Sequence, residues 1–104
     1  MRFVSVQIVR YVDDSQPGWV EAKLRDAWGQ EWPFVDKVPV FTEAALSADS
    51  SYPQPGLIRC EVIRSWQDES GRVVCSIETA KPDGVEAEGR VSGFDVLAEQ
   101  IVLR

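Results

Sequence analysis

Residues 19–34 read WVEAKLRDAWGQEWPF, and the way this stretch turns decides the fold. Val20, Ala22 and Leu24 alternate with polar residues, which is the period of a half-buried strand. Asp26 suits the first position of a type I turn, and Gly29 suits the left-handed residue that follows one. Together they predict a three-residue hairpin loop closed by a bulge. If Asp26 sits opposite Gln30, Arg25 faces Glu31, Leu24 faces Trp32, Ala22 faces Phe34 and Val20 faces Asp36. The first is a charge pair on the polar face. The next two are apolar pairs on the core face, so turn chemistry and cross-strand chemistry agree. Trp32 is thereby a core residue. Trp28 lies in the loop, where no ladder partner claims it. Pro33 lacks an N–H to donate, so the return strand is an edge or is bulged there.

Upstream, residues 2–12 alternate as another strand. Val4, Val6 and Ile8 point one way; Phe3, Ser5, Gln7, Val9 and Tyr11 point the other. The second set also carries apolar residues, so part of that outer face is expected to be covered. Residues 13–18, DDSQPG, are turn chemistry. Downstream, the return strand is expected to run over 34–41 with an interruption at Pro39. Thr42 then caps a short helix over 43–46, which places one helix near 42–47. Residues 47–56, SADSSYPQPG, form the clearest loop.

The corner recurs at Asp68-Glu69-Ser70-Gly71, which closes a second hairpin between 57–66 and 73–80 and sets Cys75 opposite Ser65. The alternation Ile58, Cys60, Val62 slips at Ile63, a bulge signal. Trp66 is assigned to the core by this pattern. A third corner is Lys81-Pro82-Asp83-Gly84. Residues 85–97 hold strand material broken at Gly89 and Gly93, with Phe94 and Val96 alternating. A helical turn at 97–101 and a short closing strand at Ile101–Leu103 end the chain. The fold class is therefore all-β. It is a small antiparallel barrel or rolled sheet of five to seven strands with one short helix, in a single domain spanning 1–104.

The chain has 104 residues, 44% hydrophobic and 27% charged, with a net charge of −6. The eleven Lys and Arg are spread almost evenly, which argues against a phosphate-binding surface and hence against nucleic acid. No apolar run approaches a membrane span, and the N-terminal residues read as a strand rather than a signal peptide. The expected compartment is the cytoplasm.

Histidine is absent, which removes Ser-His-Asp and Cys-His catalysis and histidine metal sites. Cys60 and Cys75 alone cannot complete a four-ligand zinc site, so no metal is expected. The hairpin register puts them roughly 17 Å apart at ~3.4 Å per residue, too far for a disulfide unless the bulge or a barrel seam reunites them. Both are expected to be free buried thiols. No phosphate-binding glycine loop, calcium loop or nucleophile elbow is present, and no cofactor is expected. The carboxylate pairs Asp13-Asp14, Asp68-Glu69 and Glu86/Glu88 are expected to be solvated rather than catalytic. Asp36 and Lys37 lie at the rim of the barrel. Trp28 and Tyr52 lack a packing rationale; they are expected either to cap the core as a lid over the barrel mouth or to form a contact patch.

The segments Pro-Gly-Trp-Val-Glu (17–21), Asp-Ala-x-Gly (26–29), Asp-Lys-Val-Pro (36–39), Tyr-Pro-x-Pro-Gly (52–56) and Cys-Glu-Val (60–62) span most of the chain. With them the chain resembles a family of small bacterial proteins, of about this length, with no assigned function. That resemblance implies no catalytic residues.

The functional expectation is a non-enzymatic protein-binding module of the bacterial cytoplasm. Trp28, Asp36, Lys37 and Tyr52 are its contact residues, and no residue is assigned a catalytic role. One version is an immunity-type inhibitor of a basic toxin, whose association acidic charge would speed. The alternative is a small-molecule or hydrolytic site in the barrel mouth that uses an Asp or Glu. A third is an accessory β-domain of an assembly. The sequence leaves the oligomeric state open.

Overall fold

The computed structural model describes residues 1–104. Its strands are β1 (Arg2–Asp13), β2 (Trp19–Arg25), β3 (Glu31–Lys37), β4 (Gln54–Gln67), β5 (Val73–Glu78), β6 (Gly93–Leu97) and β7 (Ile101–Leu103). One short helix, α1, covers Val38–Phe41. All the pairings are antiparallel, in the order β3-β2-β1-β4-β5-β6, with β7 against the first residues of β1. The sheet curls into a half-barrel.

The first hairpin has the register that its corner dictates: Arg25↔Glu31, Leu24↔Trp32, Ala22↔Phe34 and Val20↔Asp36. β3 ends the strand order, which is where Pro33 is tolerated. The second hairpin also forms as expected, with Ser65↔Cys75 and a register shift between Val62 and Arg64. The bulge lies within the part of β4 that pairs with β5. Gln54–Cys60 pairs with β1 and Glu61–Gln67 pairs with β5, so one bent strand joins the two halves of the sheet.

The core collects one face of each strand. Val4, Val6 and Ile8 meet Val20, Ala22 and Leu24, then Phe34, Ile58, Ile77, Phe94 and Val96, all buried. Each large apolar side chain removed from water there contributes on the order of 1.5–3 kcal/mol. Phe94 sits edge-on to Trp32 at 5.5 Å and tilted against Phe34 at 5.6 Å. Thr79 is the one buried polar residue. Its hydroxyl donates to Val85 O at 2.8 Å and its amide to Ser92 O at 2.9 Å, which ties the middle and the far end of the 80–92 excursion to the end of β5.

Four local expectations are corrected. The strand does not run over 34–41: it stops at Lys37, and the helix begins at Val38, ahead of the expected 43–46. Proline in the first turn of a helix loses no hydrogen bond and has a helical φ already, so Pro39 starts the helix instead of interrupting a strand. Thr42 follows this helix as its C-terminal cap, and its hydroxyl accepts from Ala44 N at 3.1 Å. Tyr11 is not on the outer face with Val9. A bulge between Ile8 and Arg10 changes the phase, so Tyr11 pairs with buried Val20 and packs against the core. Trp66 is not in the core. It is half-buried on the opposite face, with the Arg64 guanidinium 4.3 Å from its ring centre.

Cys60 and Cys75 are free and buried in the same core. Burial pushes the Cys60 thiol up to about 11; Cys75 adds to the rise and Arg2 opposes it.

Candidate functional site

Asp26 organises the tip of the first hairpin by accepting hydrogen bonds from three places. Its Oδ1 takes Trp28 N and Gln30 N, each at 2.9 Å, and its Oδ2 takes the Trp32 indole N–H at 3.0 Å. Ala27 is then buried against β6, where its amide donates to Asp95 O at 2.8 Å. Arg72, from the second corner, donates to Ala27 O at 3.2 Å and holds its guanidinium 5.7 Å from the Trp28 ring centre. The loop is thus fixed on three sides, yet Trp28 remains 56% exposed. A large aromatic ring left in water on an anchored loop is an uncommon combination, because its burial would be favourable.

Trp28 forms one wall of a cleft of about 570 Å³. Trp32 stands beside it, Ile63 and Arg64 of β4 line the other side, and Ser76, Glu78 and Asp95 lie between. Ile63 is 57% exposed, because the bulge that bends β4 turns it outward. The floor follows from cross-strand pairing: Arg64 is opposite Ser76, Ser76 opposite Asp95, and Glu78 opposite Gly93. Ser76 Oγ donates to Asp95 Oδ1 at 2.6 Å, and Ala80 N donates to Glu78 Oε2 at 3.1 Å. Gly93 leaves open the space that a side chain opposite Glu78 would fill; a Cβ there would meet nothing closer than Glu78 Oε1 at 3.9 Å.

The other three sequence-derived candidates lie elsewhere. Asp36 and Lys37 end β3, at the far end of the hairpin from Trp28, roughly 20 Å away along seven strand residues. Asp36 Oδ1 accepts from Lys37 N at 2.8 Å, and Lys37 Nζ lies 5.9 Å from the Trp19 ring centre. Asp36 thus orients its own strand end. Tyr52 packs against the core and donates its hydroxyl to Ser47 O at 2.7 Å. With Tyr11, Asp13 and Asp14 it lines a separate open cavity of about 670 Å³. Capping of the core therefore holds for Tyr52 and fails for Trp28, and the two do not meet as a lid.

Two carboxylates are displaced in pKa, both downward. Asp13 is lowered by the amide and hydroxyl of Ser15. Asp68 is held at about 2, chiefly by the Ser70 hydroxyl and then by the Arg72 amide and guanidinium. Such groups stay ionised and suit a structural turn rather than a general acid. The Tyr11 phenol is raised, first by partial burial and then by the charge and hydrogen bond of Asp14. Glu86 and Glu88 are exposed. No group of three metal-binding side chains is present.

A larger groove of about 1240 Å³ runs over the outer face of β1, floored by Phe3, Ser5, Gln7 and Val9 and walled by Val40 and Val102. The partly apolar outer face read in the sequence is the floor of this groove.

Sequence reasoning missed Glu78, Asp95 and Ile63 as neighbours of Trp28. Alternation does place Ser76 and Glu78 on the outward face of one strand, and Asp95 on that of the next. Nothing local reports that the hairpin tip docks beside them.

No helix is long and apolar enough to cross a membrane. No family model, curated protein or solved structure matches the chain.

Proposed function

We propose that the chain is a non-enzymatic protein-binding module of the bacterial cytoplasm, with the Trp28 cleft as its contact surface. The observation that carries this reading is the exposed indole on the hydrogen-bonded backbone of the first corner. Interfaces draw most of their energy from a few aromatic or arginine anchors, and an anchor carried on an ordered backbone loses less entropy on binding. Ile63 supplies further apolar surface across the cleft. The two free buried thiols accord with a reducing compartment. An immunity-type inhibitor of a basic toxin is one form that such a module takes, and the net charge of −6 would speed that encounter.

A hydrolytic site is supported less well. It calls for a carboxyl raised toward neutrality, and the displaced carboxylates, Asp13 and Asp68, move the other way.

The test compares the wild-type chain with Trp28→Ala as immobilised bait in native lysate at low salt. One stoichiometric protein should be retained by the first and lost by the second, while the stability of the variant changes by no more than about 0.5 kcal/mol. Retention of nothing by the wild type, or of the same protein by both, would reject Trp28 as the anchor of a protein-binding surface.

A further inference from the structure

Strand register gathers cations that the sequence spaces evenly. Side chains opposite each other across a ladder share a face. Lys23 is opposite Gln7 and Arg59 is opposite Phe3, so both stand on the outer face of β1. Arg25 lies two residues beyond Lys23 on the same side of β2, and Arg104 follows β7, whose Val102 is opposite Phe3. Lys23, Arg25 and Arg104 line the groove of about 1240 Å³, and Arg59 flanks its floor. None of the four enters either ion pair of the molecule, Arg10–Glu21 and Arg72–Asp68. The carboxylates that line the groove are Glu31 and Glu43. Four cations against two carboxylates give this face the opposite sign to a chain whose net charge is −6.

The floor between the cations is apolar. Phe3, Val9, Leu57 and Val102 are half-buried and open to the groove. Lys23 and Arg59 mark positions four residues apart on β1, roughly 14 Å at ~3.4 Å per residue, and Leu57 lies opposite Ser5, midway between them.

We infer that this groove binds an extended acidic segment of another protein. Carboxylate side chains four residues apart meet Lys23 and Arg59, and an apolar side chain midway rests on Leu57. Alternation puts residues i, i+2 and i+4 of an extended chain on one face, which matches this row of cation, apolar floor and cation. Arg25 and Arg104 add to the attraction. Other occupants fit less well. A second copy docked by the same face would oppose cation to cation. A nucleic acid would bring continuous phosphate to a chain that is acidic elsewhere, and the one half-exposed ring in the groove, Phe3, offers a single stacking surface. The groove is also larger than the roughly 300–1,000 Å³ of small-molecule pockets. It shares no lining residue with the Trp28 cleft, so the inference is independent of that surface.

The probe is the acetylated, amidated peptide Gly-Glu-Ser-Leu-Ser-Glu-Gly, titrated into the full ¹⁵N-labelled chain at low salt. Amide shifts should concentrate at Ser5, Gln7, Lys23, Leu57 and Arg59. The peptide should bind about tenfold more tightly than the same peptide with Gln for both Glu, the expected value of charge-assisted contacts. That preference should shrink in about 0.5 M salt. Replacing the peptide's Leu by Ser should also weaken binding. The Lys23→Gln/Arg59→Gln variant should lose the preference for Glu, whereas Lys23→Arg/Arg59→Lys should keep it. The inference is overturned if wild type binds the Glu and Gln peptides equally, a comparison that needs no variant to fold. It is also overturned if the shifts fall outside the groove, or if the Gln variant keeps both the wild-type unfolding midpoint and the preference. A short oligothymidylate that displaces the peptide, or self-association that perturbs the same amides, would overturn the acidic segment as occupant.

Discussion

At the first corner Asp26 N donates to Gln30 O at 2.8 Å; at the second, Asp68 N donates to Arg72 O at 2.8 Å. Each aspartate Oδ1 accepts from the amides two and four residues on, and each glycine amide returns to the aspartate carbonyl. Gly29 and Gly71 have φ of 86° and 87°. Locally the corners are duplicates, yet their outcomes differ. The first docks its tip on β6, with Ala27 buried and the aspartate Oδ2 on an indole of the core rim. The second stays in water at its tip, and its aspartate Oδ2 binds Arg72. Arg72 is also the link between them, since it reaches Ala27 O. An identical turn is thus part of the core scaffold in one place and a solvent-facing strut in the other. Its own residues do not decide which; the strands that it joins do.

The contrast is widest in the arms. Phe34→Ala, at a fully buried position facing Phe94, should cost about 3–5 kcal/mol in denaturant unfolding. Ile63→Ala, in the outward-facing part of the second arm, should stay within about 0.5 kcal/mol. Comparable losses would show that the second arm holds core structure and that the distinction is false.

Next come the aspartates. Asp26→Ala removes three accepted hydrogen bonds, one of them from a half-buried indole, and should cost about 2–3 kcal/mol. Asp68→Ala should cost less, because its bonds are exposed. Asp68 also has a pH signature. Its folded pKa of about 2 lies below the ordinary aspartate value of 3.8, so its contribution is complete above pH ~4 and is lost as pH falls toward 2. In Asp68→Asn, stability between pH 4 and 2 should fall less steeply than in wild type; an unchanged acid limb would mean that Asp68 is not held by Ser70 and Arg72 as described.

The smallest effect is the one in which the corners should agree. A Cβ on Gly29 meets nothing within 4 Å, and on Gly71 only the Gln67 side chain at 3.9 Å. Gly29→Ala and Gly71→Ala therefore test the left-handed backbone alone, at about 1 kcal/mol each. A large inequality in unfolding midpoints would show that the two turns are not locally equivalent.

Much of the fold is legible in residue order because its signals are short-range. Asp-x-x-Gly fixes a reversal within four residues, and strand alternation then assigns faces, which is why both hairpin registers and the bulge at Ile63 could be read directly. Pro39 misled because proline is acceptable both as a strand breaker and as the first turn of a helix. Tyr11 misled because the bulge at Val9 carries no glycine or other local mark. Trp66 misled because periodicity gives a face but not what covers it.

The sequence by itself determined the corners, the registers they impose, the absence of histidine chemistry and the place of Trp28 in a loop outside any strand ladder. Only the tertiary structure decided that the Ala27 amide meets the Asp95 carbonyl, and so that Trp28 stands exposed beside Glu78, Asp95 and Ile63. The reason is distance along the chain. A turn is closed by groups a few residues apart, whereas the cleft is closed by residues up to 69 positions apart, from Asp26 to Asp95, which meet only once the sheet has curled.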